Sequence, residues 1–160
     1  MINSFSKTFA MTGWRIGYLL SPDSDAMVQL TKMQYYVTAC SNDAMQYAVL
    51  EAMEKASNYP SEMCAEFKGR RDLICKRLNA MPRVSCNVPT GAFYVFPKFD
   101  IPEYTSEELA MKMLEGGVLC SPGTAFGAAG EGHLRFAYTI GREDISRGMD
   151  RVEEVLSKLV

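Results

Sequence analysis

A lysine near the start of the chain lies among residues whose side chains could bind a phosphorylated aldehyde. Lys7 follows Ser4 and Ser6, and Arg15 comes a little later between two glycines. A lysine amine can form a Schiff base with an aldehyde. Serine hydroxyls and a guanidinium can bind a phosphate through hydrogen bonds. The set therefore has the chemistry to bind a ligand that carries both groups, as pyridoxal phosphate does.

The spacing of these residues forms a longer motif. It reads Ser-x-x-Lys and then Gly-x-Arg-x-Gly, and its fixed positions are Ser4, Lys7, Gly13, Arg15 and Gly17. Taken singly, the lysine would be a solvated surface residue and each glycine an ordinary turn residue. Taken together, they resemble the cofactor-attachment motif of the fold-type I, pyridoxal-phosphate-dependent aminotransferases of class I/II.

The resemblance implies a role for each of these side chains. Lys7 would be the Schiff-base lysine and also the acid/base that moves the substrate α-proton. Ser4 and Arg15 would bind the cofactor phosphate, and Ser6 would occupy a small or hydroxyl position of the same cofactor site. The resemblance also implies amino acid and 2-keto acid substrates, and a homodimer in the complete enzyme.

A second segment of the same family lies near the end of the chain. Arg135 is surrounded by the apolar residues of the 134–138 run, where an unpaired inward-facing charge would be costly. A guanidinium can pair with a carboxylate through two parallel hydrogen bonds. The alternative is an arginine on an edge strand that faces water. The resemblance implies that Arg135 binds the α-carboxylate of the amino acid and orients it.

The composition is that of an ordinary globular chain. Its 160 residues are 48% hydrophobic and 22% charged, with a net charge of -2. No basic patch suggests nucleic acid, and no apolar run approaches the about 20 residues that cross a bilayer. The polar start gives no sign of a signal peptide, so we expect a cytoplasmic protein that contacts neither nucleic acid nor membrane.

Cysteine and histidine usage argues against several kinds of site. The five cysteines are odd in number and lack CxxC spacing, so neither a disulfide framework nor a zinc site is expected. Reduced thiols are the simpler account. His133 is the only histidine, which excludes a histidine-based triad or a multi-histidine metal site.

Hydrophobic periodicity predicts a mixed α/β (α+β) fold. Helices are predicted over residues 24–38, 43–57, about 61–80, 105–115 and about 143–159. Strands are predicted over residues 16–20, 84–88, 92–96, 118–120 and 134–138. The 92–96 run is apolar on both faces and is expected to be buried on both.

The order of these elements suggests two parts. Residues 1–58 are predicted to be the C-terminal remnant of a large pyridoxal-phosphate-binding domain, and residues 59–160 a small C-terminal α+β domain. The resemblance covers the whole chain but only the C-terminal portion of the family's length. In the family, the groups that contact the cofactor ring precede the lysine motif. We therefore expect a truncated polypeptide with little or no transaminase activity by itself.

The main hypothesis is thus the C-terminal part of an amino acid aminotransferase, and three alternatives stay open. A lyase of the same fold, such as a C–S lyase or an aminocyclopropane-carboxylate-synthase-like protein, would release different products. An aminotransferase-like effector domain of a transcription regulator would need a DNA-binding helix-turn-helix elsewhere in its gene. A catalytically dead structural or dimerisation module is disfavoured by the presence of Lys7, Arg15 and Arg135.

Overall fold

The computed structural model describes residues 1–159 and divides the chain into two compact units. The first unit is Met1–Met63 and the second is Cys64–Val160, so the division falls within a long helix. The correspondence of the two units to the large and small domains of a complete enzyme stays a prediction.

The first unit combines one pair of short strands with two longer helices. Its elements are β1 (Ile2–Ser4), α1 (Phe5–Thr8), a 3-10 turn (Thr12–Trp14), β2 (Gly17–Leu19), α2 (Ser24–Thr38) and α3 (Asp43–Lys55). The two strands are antiparallel, with Ser4 opposite Gly17. The side chains of Asp23 and Asn42 cap α2 and α3 by accepting backbone N–H bonds.

Few side chains of the first unit are buried. Among its described residues, only Phe5 and Val49 reach the buried class. The apolar residues that predicted α2 remain largely exposed within this unit: Met33 is 63% exposed and Val37 is 73% exposed. This unit therefore buries little apolar surface of its own.

The second unit wraps three helices around short antiparallel strands. Its elements follow α4 (Tyr59–Ala80) as β3 (Val84–Ser85), β4 (Tyr94–Val95), β5 (Lys98–Phe99), α5 (Ser106–Glu115), β6 (Ser121–Pro122), 3-10 turns at Gly123–Phe126 and Ala128–Gly130, β7 (Leu134–Ala137) and α6 (Arg142–Ser157). One sheet has the strand order β4-β7-β6, and β3 pairs with β5. This topology puts β7 at the centre of the larger sheet.

A contiguous apolar core holds the second unit together. Leu78, Met113, Leu134 and Val152 come from α4, α5, β7 and α6, and each is 0% exposed. Burying a side chain of this size contributes about 1.5–3 kcal/mol. The core thus fixes the face of β7 that carries Leu134.

Three predicted strands differ from the structure. The 118–120 run forms no strand, and Leu119 is 84% exposed. Pairing with β7 begins only at Ser121, after the end of the predicted strand. The 84–88 run is a strand only at its first two residues. Its early end has a local cause, because the Asn79 side chain bonds both the N–H and the C=O of Cys86, at 2.8 and 2.9 Å.

The 92–96 run is also shorter and less buried than predicted. Only Tyr94–Val95 forms a strand, and Val95 is 1% exposed while Phe96 is 41% exposed. The expectation of burial on both faces was wrong. The sheet is antiparallel and packs one face on the core, so alternate side chains point away from it.

The helices match their predicted positions to within a few residues at each end. The capping box predicted for α5 is present, with Thr105 and Glu108 bonding each other's backbone N–H. Within residues 1–159, no helix combines the length and the apolar character that crossing a membrane requires.

Candidate active site

Lys7 lies in a short helical turn that starts where β1 ends. Ser4 closes the strand and caps the turn, because its Oγ accepts a hydrogen bond from the Ser6 N–H at 3.1 Å. The Phe5 ring is buried and lies 5.5 Å from the Tyr18 ring of β2. The turn is therefore anchored through Phe5, while the Lys7 side chain is exposed.

Two hydrogen bonds join Arg15 to the same turn. Thr12 Oγ1 donates to the Ser6 carbonyl oxygen at 2.9 Å, and Arg15 Nη1 donates to the Thr12 carbonyl oxygen at 3.1 Å. Arg15 also has a φ of 54°, in the left-handed region that non-glycine residues rarely adopt. Backbone outliers of this kind cluster at functional sites, where the surrounding structure holds them in place.

Only one of the two glycines of the motif is required by the space around it. A Cβ at Gly17 would lie 2.7 Å from the Asn3 carbonyl oxygen, so the close approach of β1 to β2 needs a glycine there. A Cβ at Gly13 would meet nothing within 4 Å. Nothing in the structure explains Gly13.

The side chains of this turn fit a phosphorylated aldehyde. The Ser4 hydroxyl accepts from Ser6 and keeps its own proton to donate elsewhere. A guanidinium carries several N–H donors, and the Thr12 contact of Arg15 uses one of them. Together with the exposed amine of Lys7, the turn presents one nucleophile and donors suited to a phosphate.

Arg135 lies on β7, the central strand of the larger sheet. Side chains of β7 alternate, so Leu134 and Phe136 are buried in the core while Arg135 is half-buried on the opposite face. Ser121 lies directly opposite on β6, and Arg135 Nη2 donates to Ser121 Oγ at 3.4 Å.

Two aromatic rings also contact the guanidinium of Arg135. Its Cζ lies 4.5 Å from the centroid of the Tyr94 ring and 4.4 Å from that of the Phe126 ring. No sequence pattern assigned a site role to Ser121, Tyr94 or Phe126. Strand register and loop closure bring them to Arg135, and neither is visible as a spacing in the sequence.

The predicted site residues fall into two groups. Ser4, Ser6, Lys7 and Arg15 lie together in the first unit, where the hydrogen bonds described above connect Ser4, Ser6 and Arg15 through Thr12 and Lys7 follows Ser6 in the same turn. Arg135 lies in the second unit. The roles assigned to these five residues stay predictions.

Comparison with known families decides where the chain belongs. Residues 1–152 match the family described as "Aminotransferase class I and II". The chain belongs to this aminotransferase family. The resemblance predicted from the Lys7 motif is therefore confirmed, and membership implies pyridoxal phosphate as the cofactor of the family in general.

Individual aminotransferases match over nearly the whole chain. A "Probable aspartate aminotransferase" of Methanocaldococcus jannaschii is 42% identical over 161 residues, which cover 97% of this chain and 42% of the relative. The "Aromatic-amino-acid aminotransferase 2" of Thermococcus litoralis is 41% identical, covering 98% of this chain and 41% of the relative. The crystal structure of an aromatic aminotransferase from Pyrococcus horikoshii OT3 superposes with a TM-score of 0.91 at 40% identity, covering 99% of this chain and 43% of that one.

These matches confirm the predicted α/β (α+β) aminotransferase fold. The chain spans about two fifths of the length of the curated aminotransferases that it matches.

Within the described residues of this aminotransferase chain, no group of three or more His, Cys, Asp and Glu side chains could hold a metal ion.

Proposed function

We propose that this chain carries the cofactor-linking lysine and the carboxylate-binding arginine of a pyridoxal-phosphate-dependent amino acid aminotransferase. Such an enzyme moves an amino group from an amino acid to a 2-keto acid. The observation that carries the proposal is the capped turn at Lys7. That turn combines an exposed amine with the Ser4 hydroxyl and the Arg15 guanidinium, in a chain of the aminotransferase family.

The residues of the first unit would hold the cofactor. Lys7 would attach it covalently through Nζ, and Ser4, Ser6 and Arg15 would bind its phosphate. When bound, pyridoxal phosphate supplies an electron sink that makes the substrate Cα–H bond acidic.

The substrate would be oriented by one arginine and deprotonated by one lysine. Arg135 would bind the α-carboxylate through paired N–H donors, which fixes the direction of the Cα–H bond. Once the substrate amine has displaced it from the cofactor aldehyde, Lys7 Nζ would take the proton from Cα and return it to the cofactor. Positioned proton transfer of this kind typically contributes a rate factor of about 10²–10⁴.

The names of the relatives suggest which substrates to test first. The curated relatives include aspartate and aromatic-amino-acid aminotransferases, so we propose L-aspartate and aromatic amino acids as donors, with 2-keto acids as acceptors.

We also propose a homodimer for the complete enzyme. The exposed apolar side chains of α2 and α3, including Tyr35 and Tyr47, support a protein partner on that surface.

The proposal is tested by mixing the 160-residue chain with pyridoxal phosphate and recording its visible spectrum. Lys7→Ala removes the proposed attachment point. Lys32→Ala is the matched control, because Lys32 is an exposed lysine of the same unit outside the motif. We expect the wild type and Lys32→Ala to show the same lysine-bound absorption band, and Lys7→Ala to lack it. Identical spectra for all three proteins would refute the role of Lys7.

A further inference from the structure

The rings of Tyr94 and Phe126 have no role in the proposed function, and core packing does not explain their positions. Tyr94 is half-buried, and Phe126 is 52% exposed. Neither belongs to the hydrophobic core of the second unit or to the partly buried side chains packed against it. Their common feature is the guanidinium of Arg135, which lies over both rings.

Strand pairing places Tyr94 beside Arg135. Tyr94 of β4 lies opposite Ala137 of β7. Residues two apart on a strand share a face, so Arg135 is the diagonal neighbour of Tyr94 on the side away from the core. An aromatic side chain can reach across such a diagonal.

A closed loop places Phe126 on the same guanidinium. Phe126 ends the 3-10 turn after β6, and Gly127 follows with a φ of 116°, a conformation that favours glycine. The base of the loop is tight, because a Cβ on either Gly123 or Gly130 would collide with the carbonyl oxygen of the other. The Gly123 N–H also donates to the His133 carbonyl oxygen at 2.8 Å.

These contacts restrict the arginine before any ligand arrives. A cation over an aromatic face is attracted to it, and the two rings cover part of the guanidinium with apolar surface. Ser121 holds one nitrogen through its hydroxyl. Ordering a long side chain on binding lowers affinity, so an arginine that is already ordered binds its ligand more tightly.

We propose that Tyr94 and Phe126 are positioning residues that hold the Arg135 guanidinium in place for a substrate carboxylate. The proposal rests on the proposed function, because it takes Arg135 as the residue that binds the carboxylate. It assigns a role to two side chains that act through the Arg135 guanidinium.

The first test measures the order of Arg135 without any ligand. In the ¹⁵N-labelled 160-residue chain, the Nε–H signal of Arg135 is assigned by its loss in Arg135→Lys. We expect a ring-shifted signal with a high heteronuclear NOE in the wild type and in Phe126→Tyr, which keeps the ring. Phe126→Leu should move the signal toward that of a solvated arginine. Phe96→Leu is the matched control. Phe96 is a 41% exposed ring that packs on Phe126 and His133.

The second test measures 2-oxoglutarate binding by isothermal titration calorimetry, which does not depend on the Arg135 signal and therefore also applies to Arg135→Lys. We expect Phe126→Leu and Tyr94→Leu each to weaken binding about three- to fivefold, the loss of one partly exposed cation–π contact. Phe126→Tyr and Tyr94→Phe should restore wild-type affinity, and Phe96→Leu should keep it. Circular dichroism of each variant checks that the chain remains folded.

The outcomes separate this proposal from the function on which it rests. If Phe126→Leu and Tyr94→Leu keep both the wild-type signal and the wild-type affinity while Arg135→Lys loses binding, the positioning role is wrong and the carboxylate role stands. If Arg135→Lys binds 2-oxoglutarate as the wild type does, Arg135 is not the carboxylate residue and both proposals fail.

Discussion

Arg15 pairs an unfavourable backbone conformation with a side chain suited to phosphate. Its φ of 54° is in the left-handed region, which costs an L-residue about 1–2 kcal/mol relative to the right-handed one. A glycine would occupy this conformation at lower cost. The presence of an arginine at position 15 is therefore explained by its guanidinium and not by its backbone conformation.

Replacing Arg15 with glycine should separate stability from cofactor binding. We expect Arg15→Gly to change the free energy of unfolding by less than about 1 kcal/mol, because the relief of strain offsets the lost Thr12 hydrogen bond. Affinity for pyridoxal phosphate should fall about tenfold or more, the loss of a charge-assisted hydrogen bond. Urea unfolding and a spectroscopic titration measure the two quantities.

Pyridoxal, which has no phosphate, is the matched control ligand for this variant. Its capture by the lysine should be unchanged in Arg15→Gly. Equal weakening for pyridoxal and pyridoxal phosphate would show that Arg15 acts on the turn and not on the phosphate.

Single residues of the site could be predicted where they are close in sequence. Ser4, Lys7 and Arg15 belong to one continuous motif, so their spacing was enough to indicate a phosphorylated aldehyde. Tyr94 and Phe126 reach Arg135 from separate segments through strand register and a glycine-closed loop. Such long-range contacts leave no local pattern.

The start of helix α5 shows how a whole element depends on a charged side chain. The Glu131 carboxylate accepts hydrogen bonds from the N–H and the hydroxyl of Ser106, the first residue of α5, at 2.7 and 3.0 Å. It also accepts from the Gly132 N–H at 3.1 Å. The backbone bonds from Ser106 and Gly132 and the Ser106 hydroxyl bond hold the pKa of Glu131 below its ordinary value of 4.5.

The stabilisation from Glu131 should therefore depend on pH. A carboxylate whose pKa is lowered by folding stabilises the fold above its unfolded pKa, and this contribution is lost as the pH falls through the folded value. We expect Glu131→Gln to lower the free energy of unfolding near neutral pH and to have a much smaller effect in strong acid. Urea unfolding at both pH values measures this.

Glu54→Gln is the control for that comparison, since Glu54 is exposed on α3. It should change the free energy of unfolding little at either pH. An effect of Glu131→Gln that is equally large in acid and at neutral pH would contradict the account, because it would mean that charge is not involved.

Long helices could be predicted from the sequence better than short strands, because helical hydrogen bonds join residues that are close in sequence. The predicted range of α2 agrees with Ser24–Thr38, because helical bonds are local and the stripe repeats several times. Strand β6 has two residues and is defined only by its pairing with β7, so the sequence placed a strand one segment too early, at 118–120. Exposure of the α2 stripe could not be predicted either, because periodicity does not say what covers a face.

The five free cysteines are spread along the whole chain and differ in how deeply they are buried. Cys40 and Cys64 are exposed, Cys75 and Cys86 are buried, and Cys120 is half-buried. Burial raises the pKa of Cys86 to about 12 and that of Cys120 to about 11. Because the thiolate is the reactive form, burial and a raised pKa both slow alkylation.

Timed alkylation with iodoacetamide near neutral pH should follow this order. We expect Cys40 and Cys64 to react in the native chain, and the other three to react only after unfolding in urea. Peptide mass spectrometry at each time point identifies the modified sites. Early modification of Cys75 or Cys86 would mean that the core of the second unit opens readily.

We expect these 160 residues alone to show little or no transaminase activity, and this stays a prediction. The chain spans 42% of the Methanocaldococcus jannaschii relative. Cofactor capture can be measured whether or not turnover occurs, so it is the more direct test of the proposed function.

The most direct measurement is reductive trapping of pyridoxal phosphate on the purified chain, followed by peptide mapping. Borohydride reduces a lysine–aldehyde adduct to a stable bond, and mass spectrometry then locates the modified lysine. The account predicts that at limiting cofactor the modification lies on Lys7, and that Arg15→Gly reduces it. Modification spread evenly over the exposed lysines, with Lys7 no more reactive than Lys32, would contradict it.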